Sequence, residues 1–429
     1  MLNKASLEVN VIDAIMGSGK TTLVINMINQ QEESRFIYVT PTLNEVERIK
    51  EKCAQAEFKE PDTKQHGSKY FSFKTLVENG ENIVTTHALF KLLTKDILAT
   101  IKRMKYTLVI DEALDCVEIY HGITKADLEI LFRDSMISVE EETYRLKWNE
   151  FTYGNYSGKF DQIRKLCSNG NLVYFRGSTL LWEFPVECLN VFYEIYILTY
   201  LFQGSAMANY LKAYDAKINM LSVEGYACNG DKPNLIPYKE LDEKGIKEII
   251  RPLISIYEGS SNDIGISNGK NNPLSSSWYK RAKTSDLDSI KRALHNFFNG
   301  YARSRSIDNA WTSFKDYKLK LAGKGYSKGF LPNNLRATND YIEKKTIAYT
   351  CNTFYHPIVK NYFEERGVAI YEDVYALSEM LQFLWRFQIR RHDPVSLFIP
   401  SERMRNLLKV WLRTTNGEQL FEELGYKLP

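Results

Sequence analysis

The chain has 429 residues, with 44% hydrophobic and 25% charged side chains. That is an ordinary globular composition and excludes a disordered or collagen-like polymer, and the length accommodates two or three domains. The net charge of +3 selects no class of partner by itself, and the six cysteines lie far apart with no C-x-x-C pair, as expected of free thiols in a reducing compartment. The N-terminus lacks a basic stretch followed by an apolar one, so no signal peptide is expected. The most apolar stretch, 189–202, is interrupted by Asn190, Glu194 and Thr199, too short and too polar to cross a bilayer. A cytoplasmic protein with no membrane partner is the expectation.

In chain order, the first 115 residues alternate short β-rich runs with helical ones. Strands are predicted over 9–14, 35–40, 82–85 and 107–110, and helices over 21–30, 43–54 and 88–93. Such alternation implies a parallel sheet of the α/β class. Residues 140–153 alternate but are polar, as in a hairpin insertion. Several strand-like runs follow between 171 and 201, then a helix over 206–214. A domain boundary is placed at 214/215, dividing the chain into 1–214 and 215–429. Beyond it, strand-like runs cover 217–225, the stretch IIRPLISIY, KKTIAYTCN and PVSLFIPS. Helices are predicted over 285–301, 375–388 and 402–413, and residues 260–277 form a loop rich in Gly, Asn and Ser.

Two motifs carry specific chemistry. The segment from Ala14 through Met16, Gly17, Ser18, Gly19, Lys20, Thr21 and Thr22 follows an apolar strand and opens a helix. A strand, a glycine-bearing loop and a helix N-terminus make a phosphate cradle of backbone N–H groups. Lys20 would reach the β- and γ-phosphates of ATP, and the Thr21 hydroxyl would hold Mg²⁺. The second motif is the apolar run Thr107–Ile110 ending in Asp111 and Glu112. Asp111 would hold the Mg²⁺, and Glu112 would orient or deprotonate the attacking water.

Between them, two strands end in hydroxyl residues at helix starts: Thr40, Pro41 and Thr42, and then Thr86 and His87. Such tips grip nucleic-acid phosphates or cap the helix that follows. Farther on, residues 270–345 hold 16 Lys/Arg against 6 Asp/Glu, a net of +10. Aromatic residues are interleaved among those cations, a composition that suits a single-stranded nucleic acid.

Taken in order, these motifs resemble a superfamily 2 helicase. A-x-x-G-x-G-K-T resembles motif I, TPTLNE motif Ia, TTHALF a neighbour of motif Ib, and D-E-A-L a D-E-x-x box. Thr199 stands where motif III ends its strand, with Ser205-Ala206-Met207 as the competitor. LSEMLQFLWRFQIRR resembles motif VI, with Gln382, Arg386 and Arg390 four apart on one helix face; Arg391 is the alternative to Arg390. LRATND resembles motif V through Arg336, Thr338 and Asn339, or is a polar loop. The whole set is similar to helicases encoded by bacteriophages.

The resemblance implies two RecA-like parallel-sheet domains, with a hairpin insertion and a basic insertion at about 260–330. ATP and Mg²⁺ would bind between them, with Arg386 and Arg390 reaching the γ-phosphate as arginine fingers and Gln382 beside them. Thr40, Pro41, Thr42, Thr86, His87, Thr199, Arg336, Thr338 and Asn339 would contact the nucleic acid. It also implies single-stranded or forked DNA as partner, a role in phage DNA replication or recombination alongside replication proteins, and a place in the host cytoplasm. The competing class is a P-loop ATPase that is no helicase, such as a packaging motor or an ATP-gated interaction protein.

Overall fold

The computed structural model describes residues 7–31, 33–64, 67–224, 233–269, 271–333 and 340–427. The chain begins with β1 (Glu8–Asp13), β2 (Arg35–Thr40), β3 (Ile83–Thr86) and β4 (Tyr106–Asp111). An insertion follows, made of β5 (Val117–Ile119), β6 (Ile137–Val139), β7 (Leu146–Trp148), β8 (Leu172–Phe175), β9 (Thr179–Glu183) and the helices Lys125–Arg133, Glu150–Tyr153 and Asp161–Asn169. The first sheet then resumes with β10 (Glu194–Thr199), β11 (Lys217–Glu224) and β12 (Asn234–Pro237). Its order is β12-β11-β1-β10-β4-β2-β3, parallel throughout except for the β12 edge.

Period-2 alternation explains why this sheet is buried on both faces. Val11, Ile37, Val39, Leu108, Ile110 and Ile197 enter one apolar cluster, with the helices Lys69–Glu78, Lys95–Met104 and Ala206–Ala213. Ile12, Phe36, Tyr38, Val109 and Leu198 enter the opposite one, with the helices Lys20–Asn29 and Leu43–Lys52. The boundary expected at 214/215 is corrected by this sheet. β11 lies parallel to β1 with Val9 opposite Ile218, so the first domain runs on through Pro237.

The second sheet contains β13 (Ile254–Ile256), β14 (Asn309–Thr312), β15 (Thr346–Tyr349) and β16 (Val395–Phe398), all parallel in the order β13-β16-β15-β14. Ile347, Tyr349 and Leu397 face one cluster; Ala348 and Phe398 face the other. β14 falls inside the basic segment, so that segment supplies an edge strand and helices to this domain. Its aromatic residues are mostly core. Tyr279, Phe297, Phe298, Trp311 and Tyr326 are buried together, while Tyr301 is 53% exposed. The cations Lys280, Arg281, Lys291, Arg292, Lys318 and Lys320 lie on the surface. The expected interleaving of stacking rings with phosphate-binding cations therefore resolves into a cationic surface over an aromatic core.

The hairpin expected over 140–153 lies earlier in the chain, as β6 and β7, antiparallel with Val139 opposite Leu146, and residues Glu150–Tyr153 are helical instead. The hairpin is one part of the larger insertion, in which β5, β9 and β8 form an antiparallel sheet. The insertion is pinned at Glu183, which is fully buried. One carboxylate oxygen accepts from the hydroxyl of Tyr214 in the first domain, and the other from Tyr362 on the second-half helix Pro357–Glu364. Arg145 stands 4.0 Å away and donates to the Tyr214 hydroxyl at 3.1 Å. This carboxylate joins three parts of the chain at one buried point. Glu183→Ala strips both phenols and the guanidinium of their shared partner, a loss of roughly 3–5 kcal/mol. A urea titration followed by intrinsic fluorescence is expected to show an earlier unfolding midpoint; an unmoved midpoint would remove Glu183 as the pin.

Candidate functional site

The parallel register lines the site residues along one edge of the first sheet. At the carboxyl ends of neighbouring strands, Asp13 pairs with Thr199, Leu198 with Asp111, Val39 with Ile110, and Thr40 with Thr86. In open α/β sheets this edge is where ligands bind. The loop after β1 turns through Gly17 at φ 87° and Gly19 at φ 94°, left-handed conformations that favour residues without a Cβ. Gly19 is the N-cap of the helix Lys20–Asn29, which has no side-chain cap and no acidic residue in its first turn. Its leading amides are left for an anion.

Lys20 folds back on this loop, donating to the carbonyls of Ala14 and, at 3.0 Å, of Ile15. Burial brings its pKa down to about 8, against the opposing pull of Asp13, Asp111, Glu112 and Glu243. Burial and then the adjacent Glu112 raise Asp111 to about 7, opposed by Arg48. The Tyr38 hydroxyl reaches Asp111 Oδ2 at 3.4 Å, and His87 Nε2 lies 2.8 Å from the Asp111 carbonyl.

Glu112 adopts φ 63°, an uncommon conformation for a residue with a side chain, and its amide donates to the Leu198 carbonyl at 2.8 Å. Backbone strain of this kind gathers at functional sites. Across from it, the helix Glu372–Leu384 ends at Trp385, and Arg386 follows. Arg386 Nη2 lies 3.4 Å from Glu112 Oε1, with the arginine side chain buried. The two halves of the chain meet in a cleft of about 280 Å³, whose lining includes Met16, Gly17, Gly19, Lys20, Thr21 and Thr22 from the phosphate loop, and Asp111 and Glu112 from β4. Gln382, Trp385, Arg386 and Arg390 line it from the second domain.

This cleft brings together more of the expected residues than the predicted helix could. The helix stops at Leu384, and Arg390 lies in a 3₁₀ turn, Gln388–Arg391, so the three polar residues do not share a helix face. They converge on the cleft because the chain turns at Trp385. Of the two candidate arginines, Arg390 lines the cleft, whereas Arg391 pairs with Glu343 at 2.5 Å.

The expected nucleic-acid residues divide. Thr40 is fully buried and donates to the Thr42 carbonyl at 2.9 Å, so it offers no hydroxyl to a backbone phosphate. Thr42 takes the N-cap position of the helix Leu43–Lys52. Thr86 caps the helix His87–Phe90 by accepting from the Leu89 amide at 3.4 Å. Pro41 and Thr199 line the cleft. Ser205, the competitor for motif III, caps the helix Ala206–Ala213. Arg336, Thr338 and Asn339 lie outside the described residues.

Sequence reasoning missed Glu45 and Arg48, which line the cleft as an ion pair at 2.6 Å. Their i,i+3 spacing after TPT was the available signal. It also missed a buried network at the domain seam. The Tyr200 hydroxyl donates to Glu243 Oε2 at 2.9 Å and accepts from Trp411 Nε1 at 2.7 Å. Glu243 pairs with Lys247 at 2.8 Å, and Lys247 lies 4.9 Å from the Trp411 ring. No local pattern links positions so far apart in the chain. Ile15 of the phosphate loop packs into the same seam, within the second domain's apolar cluster.

The donor set fits a nucleoside triphosphate with a divalent cation. Ser18 Oγ in the phosphate loop, Arg48 Nε, Glu112 Oε2 and Arg386 Nε are buried and lack a hydrogen-bond partner. Arg48, Glu112 and Arg386 line the cleft, where an anion and its cation could partner these atoms.

The description of a YonV C-terminal Rossmann-like domain matches residues 248–412, and that of a YonV middle domain matches residues 117–182. Over 416 residues the chain is 37% identical to the SPbeta prophage-derived uncharacterized protein YonV of Bacillus subtilis (strain 168), covering 94% of this chain and 98% of that protein. Among solved structures, S. tokodaii Xpd4 aligns with a TM-score of 0.50 at 12% identity, over 98% of this chain and 94% of that one. An apo XPD structure aligns at 0.48 and 12% identity, over 94% and 95%. The middle-domain match coincides with the insertion, and the C-terminal match contains the whole second sheet. The chain belongs to the YonV family and has an α/β fold with two parallel-sheet domains, similar in fold to S. tokodaii Xpd4.

Proposed function

We propose that this protein is an ATP-driven translocase or helicase on single-stranded or forked DNA. The observation that carries the reading is Arg386, delivered by the second domain to within 3.4 Å of Glu112 in the first, above the phosphate loop. In this reading, Lys20 leaves the Ala14 and Ile15 carbonyls and turns to the β- and γ-phosphates. Thr21 and Asp111 would hold Mg²⁺, which would supply positive charge against that developing on the phosphate oxygens. The γ-phosphate competes for Arg386, and Glu112, released from that pair, orients the attacking water. Opening and closing of the cleft alternates the grip of the two domains on the strand. The cationic surface of residues 270–345 supports an anionic polymer as cargo. The prophage origin of the 37%-identical relative supports a role in phage DNA replication or recombination, in the host cytoplasm and with replication proteins as further partners.

A second reading, an ATP-gated interaction protein, is favoured by the buried Tyr200–Glu243–Trp411 network, which restrains movement at the seam. ATP turnover with and without single-stranded DNA separates the two. Stimulation by the strand is expected; its absence would favour the second.

Lys20→Ala is expected to abolish turnover while the circular dichroism spectrum stays unchanged, and retained turnover would contradict the phosphate-loop role. Arg386→Ala should lower kcat on the order of 10³-fold with little change in nucleotide affinity, as read by equilibrium binding of a fluorescent ATP analogue. An unchanged kcat would pass the role to Arg390. The charge on Lys20 has a visible pH signature. With its pKa at about 8 in the free site and bound phosphates favouring the cation, raising the pH from 7 to 9 weakens triphosphate binding by about ten-fold. Because Asp111, at about 7, titrates in the same cleft, the control is Lys20→Ala: a pH dependence of affinity unchanged in that variant would place Lys20 away from the phosphates.

A further inference from the structure

Asp13, at the end of β1, is the last residue before the phosphate loop and is 1% exposed. Its side chain reaches the loop that follows the neighbouring strand β10. Oδ1 accepts from the Leu201 amide and Oδ2 from the Phe202 amide, both at 2.8 Å. The Asp13 carbonyl accepts from the Ser222 hydroxyl at 2.7 Å, so the residue is fixed from both sides. Leu201 stands at φ 55°. That left-handed conformation costs roughly 1–2 kcal/mol for a residue with a Cβ, and two carboxylate hydrogen bonds supply an opposing restraint.

The clasped loop is the piece of the first domain that meets the second most closely. A Cβ on Gly204 would come within 2.6 Å of the Tyr375 amide nitrogen and 2.8 Å of the Val374 carbonyl carbon. The loop backbone therefore abuts the backbone of the helix Glu372–Leu384, with Val374 Cγ1 also at 2.9 Å. On the same helix, Ser378 Oγ donates to the Tyr200 carbonyl at 3.2 Å. At its end come Trp385, edge-on to Trp411 at 5.5 Å between ring centroids, and then Arg386. Close-packed contacts of this kind transmit displacement rather than absorb it.

We propose that Asp13 is a positioning residue. It holds the Tyr200–Gly204 loop against the helix Glu372–Leu384 and thereby sets Arg386 in register with Glu112, linking the phosphate loop mechanically to the arginine of the opposite domain. The inference deepens the ATPase reading and rests on it for its kinetic consequence, but the clasp itself exists without nucleotide. A carboxylate is needed because two amide donors converge on it. Asparagine offers one acceptor and turns an N–H₂ toward the other amide; alanine offers none.

The test uses the full chain with Asp13→Asn, Gly204→Ala and Arg386→Ala, singly and with each of the first two combined with the third. Hydrogen–deuterium exchange without nucleotide is expected to rise over residues 372–386 in Asp13→Asn, while the helix Glu402–Arg413 stays protected. In turnover, Asp13→Asn should lower kcat in the same sense as Arg386→Ala with KM little changed. In the Arg386→Ala background it should cost nothing further, to within about two-fold. Gly204→Ala, which wedges the same contact from the loop side, should reproduce the pattern and decides the matter if Asp13→Asn does not fold. Losses that multiply in the double variants, a change confined to KM, or exchange unaltered across 372–386 would overturn the proposal. A wild-type protein without ATP turnover would defeat the ATPase reading instead, and the exchange measurement would still decide whether the clasp positions the helix.

Discussion

Opposite charges held at the seam between two parallel sheets constrain the rest of this structure. Lys20, Asp111 and Glu112 come from one sheet edge and Arg386 from the facing domain, and all line one cleft. Taking such groups out of water is costly unless each has a partner. Lys20 bonds to loop carbonyls, and Arg386 pairs with Glu112 across the seam. Both arrangements leave buried polar atoms without partners around the cleft. In the proposed reading, a triphosphate with its divalent cation would partner these groups.

The seam around that cleft is itself closely built. Tyr200, Glu243, Lys247 and Trp411 form a buried network beside it, and Ile15 carries the phosphate loop into the second domain's apolar cluster. A second junction at Glu183 ties the insertion to both halves of the chain. In the proposed motor, closure and opening of the cleft would work against, or through, these two fixed points. The clasp at Asp13 lies on the route between the first of these and the phosphate loop.

Much of this was legible in the sequence because it is local. The strand–loop–helix around Lys20 and the apolar run ending at Asp111 and Glu112 each state their geometry within about ten residues, through period-2 burial and glycines at positive φ. Arg386 was legible as a charged residue beside an apolar helix face, although the helix ends earlier than its periodicity suggests. What stayed hidden depends on distant pairing. β11 looks like the start of a new domain until it is seen beside β1. Asp13 reads as an ordinary strand-terminal acid, since Leu201 and Phe202 are almost two hundred positions away. The rings among the lysines of 270–345 read as a stacking platform, yet they pack against one another beneath the cationic surface. Composition cannot tell the inside of a helix from its outside.

The most direct measurement of the central claim is a structure of the protein with a non-hydrolysable ATP analogue and Mg²⁺. The phosphates should lie on the amides of Gly17–Thr21, with the cation between Thr21 and Asp111. Arg386 should have left Glu112 for the γ-phosphate. An analogue bound elsewhere, or bound in this cleft with Arg386 still on Glu112, would contradict a motor site shared between the two domains.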